Sequence, residues 1–151
     1  MDIFTAVRTV YSKYATFSGR ASRAEFWYFF LFTTIAGAAL SAIDATLASA
    51  FSIANIVPNL AVAVRRLHDT NRSGKLIVAL ILIEVVLFLL IVVSFAAGLS
   101  GAIGGNSDVA AVGGIGVLVG AVLFVVLTIY SIYLMAKRGD AGPNQIGRAH
   151  V

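Results

Sequence analysis

The chain has 151 residues, 60% of them hydrophobic and 12% charged, with a mean hydropathy of +0.95. A soluble domain carries about 25% charged residues, so most of this surface must face lipid, as one compact membrane domain. The net charge is +4 and there is no cysteine, which excludes disulfides, thiolate chemistry and Cys-ligated metal.

Residues 2–17 open the chain with Ile3, Phe4, Val7, Val10, Tyr11 and Tyr14 at helical spacing on one face, and Arg8 and Lys13 elsewhere. This pattern predicts an amphipathic helix lying at the membrane interface or packed on the end of the bundle. Ser18-Gly19 ends it. Ser22-Arg-Ala-Glu25 then reads as a capping box, with Trp27 and Tyr28 as interfacial aromatics. A first span is expected over about 23–43, long enough for a hydrocarbon core of roughly 30 Å.

The far turn is expected at Asp44 or, alternatively, nearer Ala50. A second span over about 45–64 is interrupted by Asn55, Pro58 and Asn59, and Pro58 should kink it. The charged stretch RRLHDTNRSGK, Arg65 to Lys75, is expected to be the loop that follows. Ser73 is placed to cap a third span over about 76–97, which holds one carboxylate, Glu84. Gly98 to Gly116 reads as a flexible outer loop. A fourth span over about 115–136 carries a G-x-x-x-G pair, Gly116 and Gly120.

With four spans, all eleven Lys and Arg fall on one side, from Arg8 through Arg65, Arg66 and Arg72 to Arg148, while Asp44 and Asp108 occupy the other. The positive-inside rule then sets both termini in the cytoplasm. The fold expected is all-α: a polytopic membrane protein of four transmembrane helices with an N-terminal amphipathic interfacial helix.

Three stretches carry a resemblance: FSGRASRAEFWYF (Phe17–Phe29), PNLAVAVRRLHDTNRSGK (Pro58–Lys75) and GDAGPNQ (Gly139–Gln145). Together they resemble the domain-of-unknown-function 805 family, small proteins of the bacterial inner membrane. The resemblance implies that fold and a multi-pass inner-membrane location, and brings no established activity. The family usually has Gly where Asn71 stands and an aromatic where Lys75 stands. It also usually continues with an aromatic and Gly where this chain has Ile146-Gly-Arg-Ala-His-Val151. That hexapeptide is one reading frame of a common sequencing-adapter oligonucleotide. The native domain is therefore expected to be 1–145, with 146–151 a foreign tail.

His68-Asp69 with Ser73 lacks an oxyanion-hole motif, so no catalytic residue is assigned and no enzyme is expected. One credible histidine and no thiols leave no metal site, and nothing calls for a cofactor. The basic loop is too short and too near lipid for nucleic acid. The plain reading of Arg65, Arg66, Arg72 and Lys75 is topology alone. The sharper reading is a site for an anionic lipid headgroup built from Arg20, Arg23, Arg65, Arg66 and Arg72, oriented by His68 and Asp69. A membrane module that binds lipid or a protein partner, a second copy included, is the function expected. The alternative is a small transporter or channel subunit, to which Glu84, Asn55 and Asn59 point. Glu84 is about 13 Å beyond Lys75, near the midplane, and is expected to hydrogen-bond Asn55 or Thr128, at similar depth.

Overall fold

The computed structural model of the protein describes residues 1–139, and all regular structure among them is helical: α1 (Ile3–Ser12), α2 (Arg23–Ile43), α3 (Ala45–Asp69), α4 (Lys75–Ile103) and α5 (Ser107–Ala136). Helices α2 to α5 are each long and apolar enough to cross a membrane. The chain divides into two compact units, Val78–Tyr133 and the remainder.

In the first unit, α1 is shorter than its apolar pattern. Asp2 caps it by accepting the Thr5 amide at 2.7 Å, and it ends at Ser12. It packs on α2 and α3: Val10 joins Ala21, Phe29 and Val62 in a closed apolar cluster. Tyr11 meets Phe29 edge-to-face at 5.4 Å between ring centres, a favoured arrangement for aromatic quadrupoles. Phe4, on the other face, is 84% exposed.

Ser22 starts α2 by accepting the Glu25 amide at 3.1 Å. The other half of the expected capping box is replaced, because the Glu25 carboxylate is committed to Arg65. A single residue, Asp44, turns the chain between α2 and α3. Its amide donates to Leu40 and its carboxylate accepts from Thr46 and Leu47 at 2.7 and 2.9 Å. Those two amides, Leu47 foremost, hold the Asp44 carboxyl below the usual carboxylate range.

Pro58 lies inside α3 without ending it. Proline has no N–H, so the carbonyl four residues earlier, that of Ala54, loses its helical donor. The Tyr14 hydroxyl donates to it instead. Next to it, Asn55 accepts from the Tyr11 hydroxyl at 2.8 Å and donates to the Phe51 carbonyl, and Asn59 donates to the Asn55 carbonyl. The polar residues of this span thus repair a proline-broken helix and dock α1 on it.

α3 continues to Asp69, so Arg65, Arg66, His68 and Asp69 occupy its last turns rather than a loop. The stop is a Schellman motif: the Arg72 amide donates to Leu67 at 3.0 Å and the Asn71 amide to His68 at 3.2 Å. Asn71 takes the left-handed backbone that this motif requires, φ +53°. Glycine is the usual occupant of such a position, and asparagine tolerates it better than other side chains. Ser73 then accepts the Lys75 amide at 3.3 Å as α4 begins.

The second unit is a helical hairpin of α4 and α5. The expected loop over 98–116 shrinks to residues 104–106, because both helices run on through their glycines. These glycines face one another. A Cβ at Gly101 would lie 2.5 Å from the Ala110 nitrogen, one at Gly116 2.5 Å from Ser94 Oγ, and one at Gly120 2.7 Å from Ile91, while one at Gly113 would strike the Gly98 backbone. Close approach needs small residues at the contact, and the stretch that looked flexible is the seam. Gly105 makes the turn at φ +72°, and Asn106 caps α5 on the Val109 amide.

Candidate functional site

The sequence-predicted basic residues converge at one end of α2 and α3, within the first unit. Arg65 and Arg66 are 1% and 0% exposed, and Glu25 only 3%. Their neighbour Asp69 is the hub. One oxygen accepts from Arg20 Nε and Nη2, both at 2.7 Å, and the other from Arg66 Nη1 at 2.5 Å. Arg65 Nη1 meets Glu25 Oε1 at 2.6 Å. Charge-assisted pairs of this length are the strong class of hydrogen bond, and here they join α3 to α2 and to the segment before it.

Arg66 does more. Its Nε donates to the Met135 carbonyl at 3.0 Å and its Nη2 to that of Lys137. These are orphan acceptors at the C-terminus of α5, where a cation complements the helix dipole. A Cβ at Gly139 would collide with the Asp69 carboxylate, so glycine lets the outgoing chain pass the hub. The segment before α2 docks on the same turns: the Ala21 amide donates to the Arg65 carbonyl at 3.0 Å, and His68 Nδ1 lies 3.2 Å from the Gly19 carbonyl.

Of the five arginines grouped by sequence, Arg20, Arg65 and Arg66 are therefore spent on carboxylates within the protein. Asp69 orients Arg20 and Arg66, and the partner of Arg65 is Glu25, which sequence reasoning used only as a cap. Its signal was available: Glu25 is the one acid in Phe17–Phe29. Arg72 is half-buried beyond the end of α3. Arg23 is different. It is exposed, with no ion pair among the described residues, and it lines an open groove of ≈ 600 Å³ with Ser22, Ala24, Trp27, Tyr28 and Ala136. The groove sits at the N-terminus of α2, where free amides and the helix dipole favour an anion. The buried cluster behind it holds three cations and two anions, an excess of positive charge.

The intramembrane polar residues separate. Asn55 belongs to the first unit and bonds Tyr11, with Asn59 beside it. Glu84 bonds neither Asn55 nor Thr128: Glu84 Oε1 accepts from Ser131 Oγ at 3.1 Å, one turn beyond Thr128 on α5. Thr128 Oγ1 is buried and has no hydrogen-bond partner among the described residues. No group of three or more His, Cys, Asp or Glu side chains that could hold a metal occurs among the described residues.

Four helices long and apolar enough to cross a membrane, with a buried arginine–carboxylate cluster on α2 and α3 of the first unit, define a small polytopic membrane protein. The chain belongs to the family described as "Protein of unknown function (DUF805)", which it matches over residues 14–148. It is 42% identical over 73 residues to "Inner membrane protein YhaI" of Escherichia coli K12, and equally to that of Escherichia coli O157:H7. Those matches cover 44% of this chain and 62% of each relative. No solved structure matches. The residues 146–151 read as a foreign tail, with Arg148 among them, lie outside the described residues.

Proposed function

We propose that the protein is an inner-membrane module, both termini cytoplasmic, that binds the phosphate of an anionic phospholipid in the Arg23 groove. The observation that carries this reading is the division of labour among the arginines. Arg20, Arg65 and Arg66 are consumed as structure, and Arg23 alone of the four faces the groove without a carboxylate. Trp27 and Tyr28 supply the amphipathic rings that favour headgroup depth. The excess positive charge behind the groove attracts an anion further. The inner-membrane relative supports the location, and the lack of any Lys or Arg in the sequence around Asp44 and Asp108 supports the orientation.

Native mass spectrometry of the full chain, extracted in mild detergent and offered phosphatidylglycerol or phosphatidylcholine, tests this. Phosphatidylglycerol should be retained preferentially. Arg23→Gln should weaken it by the worth of a charged hydrogen bond, about 1.5–3 kcal/mol, hence roughly tenfold or more. Equal retention of the two lipids, or retention indifferent to Arg23→Gln, refutes the reading. The same spectra report bound protein copies, the mark of the partner-binding form of this module.

A further inference from the structure

The second unit carries a polar site of another kind. Between Val78 and Tyr133 there is no Lys, Arg or His. Glu84 lies on the α4 side of the hairpin seam, about 13 Å along the helix from Lys75. A carboxylate at that depth costs about 2.5–3.5 kcal/mol, so its charge needs an answer. Among the described residues of the first unit both buried carboxylates have an arginine: Glu25 has Arg65, and Asp69 has Arg20 and Arg66. Glu84 instead accepts from a hydroxyl, that of Ser131.

The hairpin register points to a second hydroxyl at the same level of the seam. Ile91 faces Gly120, and facing positions step backward along α4 as they step forward along α5. Two helical turns before Ile91 is Glu84, and two turns after Gly120 is Leu127, with Thr128 beside it. Ser131, one turn further, is already in contact. The Thr128 hydroxyl oxygen is shielded and unpartnered on this same seam. A buried hydroxyl left so costs about 1–3 kcal/mol, and a ligand that takes its lone pair would recover it.

We propose that Glu84, Thr128 and Ser131 form a binding site for a monovalent alkali cation. The two carboxylate oxygens and the two hydroxyl oxygens are hard donors, and one bound monovalent charge leaves the seam neutral within hydrocarbon. A divalent ion fits badly, because it would leave a net positive charge in hydrocarbon. The site is independent of the headgroup groove, which lies in the other unit.

The test is carbodiimide labelling of the intact, detergent-extracted protein, with modification of Glu84 read by peptide mass spectrometry. Sodium, potassium and choline chloride are compared at one pH and one ionic strength. Occupancy by sodium or potassium should slow labelling relative to choline, by about tenfold at ten times Kd. Thr128→Val should move protection to higher cation concentration, and Thr128→Ser, which keeps the hydroxyl, should restore it. The salt comparison needs no variant. Equal labelling rates in the three salts overturn the proposal, as does a failure to label Glu84 even in choline. Protection that Thr128→Val leaves untouched in a folded protein overturns the assignment of Thr128.

Discussion

Replacing Glu25 by Leu should be among the most damaging single changes to the bundle, and repairing it should not require restoring the charge. Among the described residues Glu25 is the sole ion-pair partner of Arg65, at 2.6 Å, and both side chains are nearly inaccessible. Removing it leaves a guanidinium buried without compensation, a situation that costs about 3–5 kcal/mol. Arg65 is already poorly satisfied, because its Nε and Nη2 have no hydrogen-bond partner among the described residues. Each buried donor left so costs about 1–3 kcal/mol. The double variant Glu25→Leu with Arg65→Met removes the charge and the orphan donors together. It should regain nearly all of the loss, and replacing a buried pair by apolar residues of similar volume can stabilise by about 1–4 kcal/mol. Unfolding in detergent can be followed through Trp27, the only tryptophan, two residues from Glu25. The full cycle of wild type, two single variants and the double variant isolates the coupling. If Glu25→Leu costs no more than the ~1 kcal/mol of an exposed pair, the cluster is solvated and the burial argument fails.

Asn71→Gly should be neutral or stabilising by up to about 1 kcal/mol, and Asn71→Val should cost at least the 1–2 kcal/mol of a left-handed residue, roughly, in the same unfolding measurement. Gly113→Ala should destabilise by about 1–3 kcal/mol, because its Cβ meets the Gly98 backbone. Gly114→Ala, with nothing near its Cβ, should be tolerated; equal effects at the two positions would show that the seam is misplaced. Asp44 contributes stability that is complete above its unfolded pKa, near the ordinary aspartate value of 3.8, and is lost as pH falls through its lowered folded value. Asp44→Asn should therefore flatten the acid limb of a stability–pH curve, and an unchanged limb would count against the cap.

Membrane residence and four spans were legible from the sequence alone, because they follow from hydrophobic run length. These properties need no knowledge of which residues touch. The start of the first span was legible because Ser22 is a local cap that acts through its own next few residues, while the structure decided the far turn at Asp44 over one nearer Ala50. The long seam of α4 and α5 was misread, since glycine signals a loop by its freedom and a close helix contact by its small size. Only the facing helix decides between them. Likewise the pattern of Arg20, Arg65 and Arg66 is that of a headgroup site until Asp69 and Glu25 are seen against them. Glu25 is forty residues from Arg65, and their meeting depends on how α2 and α3 pack. The tertiary fold, by burying these pairs, determines which arginines are structure and leaves Arg23 facing the groove. It also turns the polar break around Pro58 into a docking place for α1, because a carbonyl orphaned by proline must find a donor and Tyr14 is the one within reach.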